Sequence, residues 1–140
     1  MTNRANGDSN PELQRLLADL SPRLSERIYA FATTAKLEDI PAQASIVGTF
    51  MEDEGLTIVG AVDEADFAGL SQNGGWAKIS LGVNSSLTAV GLTARISSAL
   101  ADQGISANVI AAFFHDHIFV PWEKRHQAMN VLEGLATNGA

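Results

Sequence analysis

From Pro11 onward, apolar residues fall at Leu13, Leu16, Leu17 and Leu20, which is one face of a short helix. Asn10 offers an N-cap side chain, and Pro11 fits the first helical position, where its missing N–H costs nothing. Ser21-Pro22 ends this helix, and residues 1–10 read as a disordered start. The period then changes. In "RIYAFATT", residues 27–34, Ile28, Ala30 and Ala32 share one face and Tyr29 and Phe31 the other, which predicts a strand. "KLEDIPAQ" is a loop. In "ASIVGTFMED", residues 44–53, the positions Ile46, Val47, Phe50 and Met51 have helical spacing, interrupted by Gly48, with Gly55 as a C-terminal stop. "LTIVGAV", 56–62, predicts a strand; "DEADFAGL", 63–70, predicts a short helix capped by Asp63. "SQNGG", 71–75, has the composition of a turn and marks an internal boundary.

The second half is patterned more strongly. In "WAKISLGV", 76–83, Ile79, Leu81 and Val83 alternate with Lys78 and Ser80, as in a half-buried strand. Between Ser86 and Gly104, an amphipathic helix presents Leu92, Ile96, Ala99 and Leu100 on its inner face, and Gly104 suits the residue just past its end. "ISANVIAAFF", 105–114, is apolar on both faces, which predicts a strand covered on both sides. "HIFVPW", 117–122, is another strand. "EKRHQAMNVLEGLA", 123–136, is a helix with a stripe of His126, Met129, Leu132 and Leu135. Residues 76–136 thus read β-α-β-β-α, and residues 27–70 read β-α-β-α. That order predicts an α+β fold of the ferredoxin-like kind, an antiparallel sheet with helices on one face. Such a unit needs a strand after its last helix, so either the N-terminal half or a partner chain must supply it. No self-similarity of residues relates the two halves.

Composition narrows the function classes. The 140 residues are 46% apolar, enough for one compact domain or two very small ones. No apolar run approaches the ~20 residues of a bilayer span, and "MTNRANGDSNPE" carries no apolar signal segment, so a cytoplasmic protein is expected. With no cysteine there is neither a disulfide framework nor a thiolate zinc site. The net charge is −7 and the basic residues are scattered, which argues against nucleic acid or an anionic membrane as partner.

The conspicuous chemistry is His115-Asp116-His117. On an extended chain the two imidazoles share a face and Asp116 points the other way. A zinc site would want a third protein ligand, and His126, on the next helix, is the one other histidine. Acid–base work would want a carboxylate orienting a His, and a neighbour on a strand is badly placed for that. A short polar break between two β-rich runs, with Asp as a favoured turn residue, reads most simply as the bend of a hairpin. Trp76 and Trp122, both at strand ends, read as rim packing.

The stretch from Ser85 to Pro121, "SSLTAVGLTARISSALADQGISANVIAAFFHDHIFVP", resembles the ACT-domain family, and within it the branch related to the ACT domains of arginine-sensing proteins. The likeness rests on V-G-L-T at Val90 to Thr93, G-I-S-x-N-V at Gly104 to Val109, and H-D-H-I-F-V-P at His115 to Pro121. "EDEGLTIV", 52–59, is similar to the E-G-L-T segment of that family's N-terminal half, so the resemblance extends over roughly residues 10–135. It implies an ACT-type sheet, or two ACT-like halves, divided as a tail and short helix (1–24), an N-terminal half (25–72) and a C-terminal ACT domain (73–140). It also implies a regulatory module with no catalytic residues and no cofactor. Such a module binds a small molecule, usually an amino acid, and pairs as a homodimer or other homo-oligomer.

The resemblance places ligands at the loop before the first helix and at the start of the next strand. Here that implies Ser85, Ser86, Val90, Gly91 and Leu92 on the loop, and Asn108 and Val109 on the strand. Physical chemistry is compatible with this. A loop feeding a helix N-terminus exposes free N–H groups and the positive end of the helix dipole, which favour a carboxylate. Asn108 could hydrogen-bond a ligand, and Glu54 or Asp116 could receive an ammonium. Alternatively, Ser85, Ser86 and Asn108 merely cap the helix and tie the loop. Two other functional readings stand beside the sensor: a ligand-free interaction or oligomerisation module, and a metal enzyme using His115 and His117.

Overall fold

A computed structural model of the chain describes residues 10–40, 45–62 and 70–138. Among the described residues, three α-helices, α1 (Pro11–Ala18), α2 (Leu92–Asp102) and α3 (Arg125–Asn138), accompany six strands. The strands are β1 (Pro22–Thr34), β2 (Ser45–Glu52), β3 (Gly55–Ala61), β4 (Ser71–Leu81), β5 (Asn108–Ala111) and β6 (Asp116–Pro121). Hydrogen bonding orders them β2-β3-β1-β4-β6-β5. The result is the expected α+β fold with an antiparallel, ACT-like sheet. The chain clusters into two compact units: one holds the residues up to Ser25 together with those from Lys78 on, and the other holds Glu26–Ala77.

The unit built from both ends of the chain contains all three helices. Asn10 caps α1 as its position predicts, its Oδ1 accepting from the N–H groups of Glu12 at 3.0 Å and Leu13 at 3.4 Å. Leu13, Leu16 and Leu17 are buried, and the three helices pack on one another. α2 buries Leu92, Ile96 and Leu100 and ends in a Schellman motif: Ile105 N–H reaches the Leu100 carbonyl at 3.0 Å, and Gly104 N–H reaches Ala101 at 2.9 Å. Gly104 takes the positive φ of 71° that this ending requires. From α3, Ala128, Leu132 and Leu135 are buried. His126 is exposed, so the stripe drawn through it is displaced. β6 buries Ile118, Phe119 and Val120 and pairs with β5 from Asn108↔Phe119 to Ala111↔Asp116.

The strand that this unit lacked comes from the N-terminal segment. Gly82 N–H donates to the Ser21 carbonyl at 2.9 Å and Val83 N–H to Leu20 at 3.2 Å, which sets the start of β1 beside the end of β4. A Cβ at position 82 would stand 2.9 Å from Ser21 Cβ, so the two backbones meet this closely only because residue 82 is glycine.

The other unit holds three antiparallel strands in the order β2-β3-β1, a β2-β3 hairpin flanked by β1, together with the first residues of β4. β1 pairs with β3 from Tyr29↔Ala61 to Thr34↔Leu56, and β3 pairs with β2 from Ser45↔Ala61 to Glu52↔Gly55. Its core is Ala32, Leu56 and Ile58, with Ile40, Val62 and Leu70 packed against them. Trp76 sets its ring edge-on to Phe31, the centroids 6.0 Å apart.

Three expectations are corrected. Residues 45–52 form strand β2 rather than a helix, and Gly55 opens β3 instead of ending one. The helical spacing there does not reflect burial, because Phe50 and Met51 are exposed on a strand at the sheet's edge. "SQNGG" is the start of β4, its turn-forming residues overridden by ladder pairing. The apolar run 105–114 holds only four residues of strand; β5 lies at an edge, and Phe113 and Phe114 are exposed beyond it, so neither is covered. The expected helix over 63–70 lies, apart from Leu70, outside the described residues.

Core burial yields a direct stability test. Leu17→Ala should cost about 2–5 kcal/mol in urea denaturation, since Leu17 is fully enclosed. Leu37→Ala, at an exposed site, should stay within about 0.5 kcal/mol of the parent.

Candidate functional site

The end of β4 decides where the loop before α2 begins. His115 stabilises that departure: its Nδ1 lies 3.2 Å from the Val83 carbonyl, which can only accept, so Nδ1 carries the proton. Beyond Val83 the chain makes a tight turn. Ser86 Oγ accepts from Thr88 N–H at 3.2 Å and bonds Thr88 Oγ1 at 2.9 Å, while Ala89 N–H reaches the Ser86 carbonyl at 3.0 Å. Gly91 then begins α2 with a φ of 101°. Glycine makes no side-chain cap, and the first turn holds no acidic residue, so the N–H groups that precede the first intrahelical bond are available.

Beside this helix start lies a hollow of about 60 Å³, lined by Ser85, Ser86, Leu87, Ala89, Leu92, Thr93, Ala111 and Asp116. The loop, α2, β5 and β6 each contribute to it. Of the positions expected to bind a ligand, Ser85, Ser86 and Leu92 are on its wall. Ser85 and Leu92 are themselves buried, whereas Ser86 is exposed. Val90 points to solvent, Gly91 packs its Cα side near Leu13, and Asn108 is exposed on β5 next to a half-buried Val109; none of these four lines the hollow. Asp116, considered as a partner for an ammonium, is on the wall. Glu54, considered with it, belongs to the other unit. Ser86 does tie the loop, as the alternative reading held, but the cap position of α2 is Gly91.

The hollow also takes in Leu87 and Ala89, inside the loop Ser85 to Leu92 that the resemblance points to, and Thr93 and Ala111, which lie outside it. Thr93 was discoverable as the second residue of a helix whose start was already of interest. Ala111 was not, because its place depends on the β5–β6 register.

The His-Asp-His segment divides as an extended chain should. Asp116 lines the hollow, while His117 Nδ1 lies 2.8 Å from Ser80 Oγ on β4. Ala112 N–H closes the hairpin on the His115 carbonyl at 3.1 Å. Among the described residues, no three His, Asp or Glu side chains come together in a way that could hold a metal ion. Burial holds the Asp116 carboxyl above its usual range, against the opposing pull of His117 and His115. Burial pushes His117 down, and Lys78 and His115 add to this while Asp116 resists it.

The chain belongs to the ACT-domain family. Family models described as ACT domain match residues 71–134 and residues 9–76. Among solved structures it is similar to a Vibrio cholerae protein of unknown function described as a possible transport protein. Identity there is 43%, the match covers 89% of this chain and 96% of that one, and the TM-score is 0.77. An Agrobacterium tumefaciens protein matches at 20% identity over 84% of this chain and 89% of its own, with a TM-score of 0.67. The ligand-free regulatory subunit of aspartate kinase from Thermus thermophilus matches at 13% identity over 82% of this chain and 96% of its own, with a TM-score of 0.58. The last two likenesses concern the fold alone. No curated protein matches significantly. No described helix is long and apolar enough to cross a membrane.

The two shifted groups give opposite pH dependences. His117 titrates near 6.5 when unfolded and lower when folded. Its share of the stability is therefore whole above about pH 6.5 and is lost as pH falls through the folded value. Asp116, raised on folding, contributes below the ordinary aspartate value of 3.8 and loses that share as pH rises through its folded value. Replacing His117 with Gln should therefore shrink the fall in melting temperature between pH 7 and pH 5, read by circular dichroism against the parent.

Proposed function

We propose that the chain is a regulatory module that binds a free amino acid and performs no chemistry on it. The supporting observation is the hollow itself, where an uncapped helix N-terminus and one partly buried carboxylate share a wall. A zwitterion complements that pair: its carboxylate faces the N–H groups of Leu92 and Thr93, and its ammonium faces Asp116. The Asp116 carboxyl, held protonated more readily by burial, gains most from a cation that restores its ionised form. Ser85 and Thr93 add hydroxyls at the same wall. The likeness in fold to the regulatory subunit of aspartate kinase supports a regulatory role, and the acidic, cysteine-free composition supports a cytoplasmic one.

A thermal-shift panel of the twenty amino acids tests this. A ligand at about 100 times its dissociation constant should add roughly 2.7 kcal/mol of stability. Asp116→Asn, which keeps size but removes charge, should weaken binding by about 1.5–3 kcal/mol. Flat melting curves for all twenty at millimolar concentration would refute the reading.

A second reading, pairing between copies of the chain, is favoured by β2. That strand lies at the sheet edge with Phe50 and Met51 exposed. A Phe50→Asp, Met51→Asp double variant should sediment as a smaller species than the parent; unchanged sedimentation removes this edge from consideration.

A further inference from the structure

Four large apolar side chains stand in solvent around the hollow. Leu87 is 68% exposed, Val90 77%, Phe113 78% and Phe114 61%. Leu87 is itself on the wall. Val90 follows the wall residue Ala89, and Phe113 and Phe114 lie between the wall residues Ala111 and Asp116. The two loops that carry them are joined through the His115–Val83 hydrogen bond, and the Phe113 and Phe114 rings pack edge to face with centroids 4.8 Å apart. Exposed apolar residues scattered singly need no explanation, but four on the two loops flanking one polar hollow do.

Size and charge together say what belongs there. The hollow's 60 Å³ is room for a few water molecules, at roughly 10–15 Å³ each. It suits a carboxylate, an ammonium and the carbon between them. The side chain of any larger amino acid must leave the hollow and lie across the rim. The loop from Val83 to Gly91 carries no charged residue, and Asp116 is the acidic group on the wall among the described residues. With Asp116 facing the ammonium, the rim offers no second carboxylate to a lysine or arginine side chain and no cation to a glutamate. A charged side chain would lose hydration there without gaining a partner.

We infer that the ligand is a neutral amino acid with a large apolar side chain, its charged end in the hollow and its side chain laid over Leu87, Val90, Phe113 and Phe114. This rests on the zwitterion reading of the hollow. Arginine is disfavoured, because its guanidinium would lie on an uncharged rim.

Isothermal titration of the chain at pH 7 with glycine, leucine, phenylalanine, lysine, arginine and glutamate tests the inference. Leucine and phenylalanine should bind at least about ten-fold tighter than glycine or the charged amino acids. In a Phe113→Ser, Phe114→Ser double variant, whose changes are at exposed sites, that preference should collapse toward the affinity of glycine. Amino acids that bind with equal affinity, or with a charged side chain preferred, overturn the rim assignment and leave the zwitterion site standing. No binding by any of the six overturns both. Leucine binding unaltered in the double variant also overturns the rim assignment. So does a change of the variant's sedimentation without a change in leucine affinity, since the rim is then a contact between copies.

Discussion

A close approach of two distant stretches of backbone, at Ser21 and Gly82, is the constraint on which the C-terminal unit rests. Two hydrogen bonds, from Gly82 to Ser21 and from Val83 to Leu20, pin the entry of β1 to the exit of β4. Ser21 accepts a φ of 48° to make the turn out of α1, a conformation that few side chains adopt without cost. Gly82 gives up its side chain so that the backbones can meet. Everything downstream is measured from this joint. It fixes where β4 stops, hence where the loop to α2 leaves the sheet, hence which residues of that loop come opposite β5 and β6. The His115 ring reinforces the same point by holding the Val83 carbonyl. A hollow assembled from a loop, a helix and two strands keeps its shape only if the loop's point of departure is fixed.

What could be read in the sequence was mostly what is local. Asn10 and Pro11 announce α1 because capping involves only neighbours in the chain. Gly104 announces the end of α2 for the same reason. Ile79, Leu81 and Val83 alternate because β4 is buried on one side there. The failures share a cause as well. Ile46, Val47, Phe50 and Met51 show a spacing that burial did not produce, and Phe113 and Phe114 look like core residues although they stand in water. Apolar residues at sheet edges and loop tips mimic the pattern of a core, and nothing in the order of letters tells the two apart. At the site, the loop before the helix was legible from its Ser and Gly content and from the family motif. The wall opposite was not, because Ala111 and Asp116 reach it through the register of a hairpin. Asn108 and Val109, although near in sequence to Ala111, are carried away from the hollow.

The ACT-domain matches are two continuous segments, whereas one of the two compact units is discontinuous in the chain. Pro22 to Ser25 work with Lys78 to Leu81, although the whole of the other unit separates them in sequence. Closing that separation costs loop entropy before any contact is gained, so this unit's sheet cannot be completed from local pieces. The Glu26–Ala77 unit, whose strand pairs β2-β3 and β3-β1 are neighbours or near neighbours in sequence, carries no such requirement.

The chain has two tryptophans, and each unit holds one. Trp76 keeps its indole N–H buried without a partner, in contact with the Phe31 ring. Trp122 lies under the Arg125 guanidinium, 3.8 Å from its ring centroid. One ring thus sits in an apolar setting and the other beneath a cation, surroundings that give indole different emission. Nature has in effect placed a separate optical reporter in each unit, and replacing either ring with phenylalanine would let the melting of the two be watched one at a time.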